Sequence, residues 1–511
     1  TQLKLVKASE LNADGTIPAS AQARYAQQNM VYATENIGQT NEVYSSSGTN
    51  VADAALGSDV SGDHADESGN GANWGRSLEQ HTTNECSNQI TVDSLTPGTQ
   101  YAYQVSDGQG NWSRVYTIRT LKKDSVSFTA FGDPQIGAFD NGSGKSKSQM
   151  GHANVSDDES GWDKVLKLVT GQATKPDFLF SMGDQVNDYN YLIQPSSAVP
   201  DGQWYQYNYF FSPLGNTAFQ NYPLAAFSGN HDHQMGQYYG YHYNQSTKSS
   251  LGATQYGNDG DYWFTAGPVL FLVLNANNYG TAQHDEFIRG AIQKTPNAKW
   301  KVAAWHQAAY SEANHGTSNS GDDPVLTIRN TWPKMMDQYG IDVVLQGHDH
   351  FYTRTAQMLD GNPVDPATGK AITDAGWLTT DEKTGATTGT SNAKTTYASK
   401  EYADSVLNPK GTVYFTLDSG SGSKYYDWNT KADHSFSVKS WQGYVPTYSN
   451  VSFTDSTFTI QTYAAENYQD PTKIDSYTIT KASQPNPNLA ATVSEGNPST
   501  GGTGDDGSDS T

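Results

Sequence analysis

Two histidines flank an aspartate in Gly347-His348-Asp349-His350, directly after the apolar run that begins at Ile341. A short run rich in β-branched residues reads as a buried strand, and the glycine lets the chain turn sharply at its end. Two nearby histidines are by themselves more often loop residues than metal ligands. Here the arrangement recurs upstream. SVSFTAFGDPQ ends in Asp133 and Gln135, DFLFSMGDQVND in Asp184 and Asp188, PLAAFSGNHD in Asn230, His231 and Asp232, and KWKVAAWHQ in His306. Strand ends in an open sheet converge on one crevice beyond the carboxyl edge. Mixed nitrogen and oxygen donors with a carboxylate to share suit a pair of divalent cations. Such a pair clamps phosphoryl oxygens and lowers the pKa of bound water from 15.7 to about 7, which is the chemistry of phosphate-ester cleavage.

Those strands need a scaffold of some size. A chain of 511 residues holds two or more domains, and 12% aromatic content with 32 Tyr and 11 Trp marks it as globular for most of its length. A net charge of −22 argues against nucleic-acid polymers and anionic membranes as partners. An anionic small substrate therefore requires a local positive site. The single cysteine, Cys86, allows no intrachain disulfide and no thiolate metal site, and reads as a small buried hydrophobe. No apolar run is long enough to span a membrane. The start at Thr1 without Met suggests processing or trimming. Few Lys, abundant Tyr, Asn and Thr, and a polar C-terminus point to an exported protein, extracellular or on a bacterial cell surface, with anchoring through a region beyond the tail as one option.

Taken in order, residues 1–24 lack strong periodicity and read as an N-terminal extension. Residues 25–122 carry short alternating segments, MVYAT, ITVDSL, QYAYQVSDG and SRVYTIRTL, separated by turn signals. This segment resembles a fibronectin type III-like module through Leu95, Pro97, Gly98, Tyr101 and Tyr103. The loop from Gly48 to Gly75 contains Asp59, Asp63, Asp66 and Glu67, which read as a solvated acidic loop ahead of a calcium site. Over 123–482 strands alternate with helical stripes, as in a layered α/β domain. Val165, Leu166, Leu168 and Val169 mark one helix; QWYQYNYFFSPL, within the insertion 188–222, reads as another, packed over the rim of the site. Leu359 to Asn408 reads as an irregular insertion, and the alternating segments after it as a second sheet. Residues 483–511 lack packing residues and read as a disordered tail or linker.

The order GD, GD, GNHD, H, GHDH resembles the calcineurin-like metallophosphoesterase superfamily, in its purple-acid-phosphatase-like branch with an N-terminal fibronectin-like domain. The resemblance spans about residues 25–482. It implies an α/β two-sheet sandwich flanked by helices behind a small all-β domain, and a dinuclear centre whose metal-bound hydroxide hydrolyses phosphomonoesters. Carried over, Asp184 bridges both metals; Asp133, Gln135 and His350 complete one site; and Asn230, His306 and His348 complete the other. His231 orients phosphate and protonates the leaving oxygen, with Asp232 as its orienting partner.

Two positions depart from the pattern. Asn187 stands where purple acid phosphatases have a tyrosinate, and Gln135 where many relatives have histidine. The expected centre is thus colourless and holds two divalent ions, Mn, Zn or Fe, with +4 from the ions against −2 from Asp133 and Asp184. HQAAYSEANHG offers Tyr310 and His315 as substrate contacts, although the proline usual two residues after His306 is missing. His233 and His242 read as solvated loop residues, and Asp188 and Arg354 as salt-bridging neighbours of the ligands. A phosphodiesterase or nucleotidase on the same core, and a non-catalytic binding or adhesion protein, remain the alternatives.

Overall fold

The computed structural model describes residues 1–35, 81–138, 155–187, 201–233, 236–254, 259–319, 323–372, 395–398, 403–429 and 431–482. Asp188, the acidic loop at 59–67 and the tail 483–511 lie outside them, as does the side chain of Cys86.

Two large mixed sheets form the body. One has seven strands, in the order Ser405–Leu407, Thr472–Thr480, Thr457–Ala464, Thr447–Phe453, Val126–Phe131, Phe178–Ser181 and Leu224–Ala226. The other has eight: Tyr262–Ala266, Val269–Val273, Trp300–Ala304, Val343–Gln346, Val413–Thr416, Tyr352–Thr355, Ser437–Gln442 and Thr395–Ala398. The strands that precede the metal-capable residues run parallel within each sheet. Within each sheet their carboxyl ends therefore face the same way.

The apolar runs are continuous because both faces of these strands are covered. Along Val269–Val273, Val269, Phe271 and Val273 enter the core between the sheets, while Leu270 and Leu272 enter a second core under helices. The inter-sheet core is aromatic: Phe128 stacks on Phe178 at 4.7 Å and Phe264 on Phe271 at 4.7 Å. Each such buried side chain contributes about 1.5–3 kcal/mol, and Phe271→Ala would cost about 3–5 kcal/mol through the void it leaves.

Helix Val325–Tyr339 turns Ile328, Trp332, Met335, Met336 and Tyr339 toward the eight-stranded sheet, an i, i+4, i+7, i+8, i+11 stripe. It stops at Gly340, which takes the left-handed conformation at φ 58°. On the opposite side, helix Val155–Gly171 packs Trp162, Val165, Leu166 and Val169 against the seven-stranded sheet. The aromatic helix Asp201–Phe211 joins it, with Phe210 stacked on Trp162 at 5.7 Å. The result is a helix, sheet, sheet, helix sandwich behind an all-β N-terminal domain.

Three expectations need correction. Residues 1–24 are not an extension: strand Gln2–Lys7 lies inside the four-stranded N-terminal sheet, between Ala23–Tyr25 and Gln100–Ser106. Its alternation is too short to register as periodicity, and long-range pairing decides its state. ITVDSL is irregular; the strand is His81–Gln89, just before it, paired with Gln27–Glu35. The region Leu359 to Asn408 is not wholly irregular, since Asn362–Val364 pairs with Gln357–Leu359, and Thr395–Ala398 and Ser405–Leu407 join the two large sheets as edge strands.

Candidate metal centre

The two sheets meet where their parallel strands end, and among the hydrogen bonds that cross the seam two fix the histidines. The His348 amide donates to Asp133 Oδ1 at 2.8 Å, and His306 Nδ1 donates to the Met182 carbonyl at 2.8 Å. The second bond puts the proton of His306 on Nδ1 and turns the bare Nε2 inward. Around that atom lie Asn230 Oδ1 at 3.1 Å, Asp184 Oδ2 at 3.1 Å and His348 Nδ1 at 3.2 Å. His348 in turn donates from Nε2 to Asp323 Oδ1 at 2.9 Å, so its Nδ1 is also bare. With the His306 ring neutral, as a bound cation would hold it, four lone pairs converge there.

A second group adjoins the first. Asp133 Oδ2 lies 3.9 Å from His306 Nε2 and 3.2 Å from His350 Nε2. His350 Nδ1 donates to the Lys424 carbonyl at 2.8 Å, which again leaves Nε2 bare. Asp133 Oδ2 and Gln135 Oε1 are buried and, among the described residues, receive no hydrogen bond. The Gln135 amide nitrogen is held by Asn187 Oδ1 at 3.0 Å, which aims its oxygen inward. The two positions that depart from the family pattern therefore contact each other. Orphaned buried acceptors beside bare imidazole nitrogens are what a cation would satisfy, and the donor set fits divalent metal ions. Asp184, His306 and His348 offer ligand atoms within 4.8 Å of one another.

The backbone is strained where these side chains emerge. Gln135, Asp184, His348 and His350 all have positive φ, at 36°, 42°, 74° and 41°. Non-glycine residues pay for that conformation, and it clusters at functional sites. The preceding glycines are forced by crowding: a Cβ on Gly229 would overlap Asp184 Oδ1, and one on Gly347 would overlap Asp133 Oδ1.

Electrostatics agree with the geometry. Burial pushes the Asp184 and Asp133 carboxyls up, but neighbouring histidines outweigh it and hold both below the usual carboxylate range. Burial pulls His306 down, yet Asp184 and Asp133 raise it to about 9. The cluster therefore draws positive charge to its centre. Burial, seconded by His315, takes His348 down to about 3.

His231 sits at the partly exposed edge of the cluster, its amide on Asp184 Oδ1 at 2.9 Å and its Nε2 4.0 Å from Asp184 Oδ2. Asp232 is fully buried and serves the turn: its oxygens accept from the Gly229 and Gln185 amides and the Tyr207 hydroxyl. Burial, then Asp184, raises its carboxyl to about 7. His315 lies beside His348 with ring centroids 3.9 Å apart.

Tyr310 is a correction. At 2% exposure it packs against Tyr414 and Phe436 in the core under the helices, because the chain after His306 runs beneath the site before rising to His315. His233 and His242 are not solvated loop residues: His233 faces Asp259 at 3.4 Å, and His242 stacks on Tyr207 at 4.2 Å. Arg354 does bridge carboxylates, but those of Asp475 and Asp404 rather than any ligand.

Sequence reading missed Asp323, Lys424 and the serines of the Gly-Ser segment 419–423 that follows strand Val413–Thr416. Asp323, next to Pro324, looks like ordinary helix-start chemistry. Ser421 and Ser423 donate to the Pro134 carbonyl and fix the loop that bears Asp133 and Gln135. The Lys424 ammonium lies over the Tyr426 ring, which sits 5.2 Å from His350 and 5.1 Å from His315. No periodicity marks any of these.

Residues 126–352 match the calcineurin-like phosphoesterase family, and residues 16–120 match the purple acid phosphatase N-terminal domain. No curated protein matches the sequence. Among solved structures, purple acid phosphatase PPD1 from yellow lupin (Lupinus luteus) seeds aligns at TM-score 0.52 and 13% identity, covering 96% of this chain and 70% of the lupin protein. PhoD aligns at TM-score 0.45 and 12% identity, covering 79% of this chain and 80% of PhoD. At such identity the lupin likeness is one of fold.

Proposed function

We propose that this chain, a phosphoester hydrolase joining a purple acid phosphatase N-terminal domain to a calcineurin-like phosphoesterase domain, acts on phosphomonoesters at a pair of divalent ions. The observation that carries the reading is the convergence of bare lone pairs around His306 Nε2, with the orphaned oxygens of Asp133 and Gln135 alongside. Asn230, His306 and His348 would hold one ion, Asp133, Gln135 and His350 the other, and Asp184 both. When bound, such ions polarise phosphoryl oxygens and acidify water.

The side chains do the rest. Two divalent ions less two carboxylates leave positive charge for a phosphate dianion inside a protein of net charge −22. His231, tied to Asp184 through its amide, orients the phosphate from the exposed edge and gives a proton to the leaving oxygen. Lys424 adds a side-chain cation on the Tyr426 wall. Gln135 is neutral and Asn187 replaces a tyrosinate, so the centre is colourless and divalent. Export from the cell belongs to the same reading, and fractionation of the producing cells tests it.

The decisive experiment offers a phosphomonoester and a bis-ester side by side to protein of measured metal content, before and after chelation and resupply of Mn2+, Zn2+ or Fe2+. Monoester turnover that is lost and restored with metal is the expected result. Faster bis-ester cleavage would replace the reading with a phosphodiesterase. Inertness toward both with metal bound would leave a binding protein.

A further inference from the structure

We propose that Asp323 is a positioning residue that sets a metal ligand and a substrate-side imidazole together. The proposal deepens the metal-centre reading and rests on it. Asp323 Oδ1 accepts from His348 Nε2 at 2.9 Å, and Oδ2 accepts from His315 Nδ1 at 2.6 Å. One oxygen serves each ring. The rings lie 3.9 Å apart with planes inclined by 32°, so neither can swing without displacing the other. Asp323 itself is anchored immediately before Pro324 and helix Val325–Tyr339, whose apolar stripe is buried.

A neutral imidazole carries its proton on one nitrogen only. The carboxylate selects Nε2 on His348 and thereby leaves Nδ1 as the acceptor facing Asp184, Asn230 and His306. On His315 it selects Nδ1 and orients the ring against Tyr426, 5.1 Å away, on the wall that also carries Lys424. Loss of the carboxylate frees the proton of His348 to move to the inward nitrogen, where it competes with a cation. It also frees the His315 ring to rotate. One substitution therefore disturbs metal affinity and substrate handling at once, which a purely structural loop residue would not do.

The experiment compares the full chain with Asp323→Asn, Asp323→Glu, His315→Gln and the double variant Asp323→Asn/His315→Gln. Mn2+ affinity is measured by chelator competition, metal stoichiometry by elemental analysis, and kcat and KM with a phosphomonoester. Asp323→Asn should bind Mn2+ roughly 10–100-fold more weakly, the range seen for lost partners of metal-ligating histidines. Asp323→Glu should recover part of that affinity. His315→Gln should keep wild-type metal affinity and raise KM, and the double variant should lose less than the product of the single losses in kcat/KM. Wild-type metal affinity in Asp323→Asn would overturn the proposal. So would His315→Gln losing as much metal as Asp323→Asn, because His315, Asp323 and His348 would then be ligands of an ion of their own. Mn2+ binding that depends on Asp323 in a protein inert toward every phosphoester would instead sink the hydrolase substrate reading and spare this one.

Discussion

Two places in the molecule bury charge, and they treat it in opposite ways. At the seam of the sheets beyond Thr353, Arg354 meets Asp475 through Nε at 2.8 Å and Nη2 at 3.2 Å; Asp404 takes Nη2, and the Tyr352 hydroxyl donates to Asp475. Burial would raise the Asp475 carboxyl, but Arg354 outweighs it and holds it low. The charge is answered from within the chain. At the carboxyl ends of the parallel strands, Asp133 and Asp184 converge with bare imidazole nitrogens and a glutamine oxygen that receives no donor. Among the described residues nothing answers that site in full. A buried charge met by its opposite is architecture; a buried set of acceptors short of donors is a place for a cation.

The sharpest way to break this contrast is Asp184→Ala. Turnover should fall to background and metal content should drop, while the metal-free fold loses a buried carboxylate and keeps its stability; kinetics, elemental analysis and thermal melting read the three. Unchanged turnover would refute the assignment of Asp184. Next in size, Arg354→Met leaves Asp475 buried without its partner and should cost about 3–5 kcal/mol in denaturant unfolding. Its metal content and kcat per folded molecule should stay at wild-type values, which would separate the two regions. Chelation should act the other way round: activity is lost and stability falls by about 2.7 kcal/mol relative to protein held at a hundredfold excess over the dissociation constant. A melting temperature indifferent to metal would blur the comparison.

The smallest effect is acid sensitivity at the complete pair. The folded carboxyl of Asp475 lies below its unfolded value, so its contribution is fully present above about pH 3.9 and lost as pH falls through the folded value. Arg354→Met should reverse that dependence, because burial then acts on Asp475 without its counter-charge, and unfolding curves of metal-free protein at stepped pH would show it.

Much of the site was legible beforehand because ligand chemistry is local. A glycine followed by Asp, Asn or His at the end of an apolar run can be read one block at a time, and Asp133, Asp184, Asn230, His306, His348 and His350 do converge. Tyr310 misled because position next to a ligand in sequence says little about which side of a sheet the chain passes. Strand Gln2–Lys7 was missed because its longer partner, Gln100–Ser106, stands about a hundred residues away. Asp323 was invisible for another reason: only the fold turns its two oxygens onto His348 and His315, while its neighbours in sequence resemble a helix cap.

By itself, then, the sequence determined the alternation of strands and helices, the residue types at each strand end, and a net charge under which an anionic substrate requires a local positive site. These follow from hydrophobic periodicity and from the acid–base character of single side chains. Tertiary structure alone decided which nitrogen of each histidine is bare, that Asn187 turns Gln135 inward, and that Asp323 serves two rings. Proton placement and close approach depend on contacts between distant segments, and only packing the two sheets face to face brings those segments together.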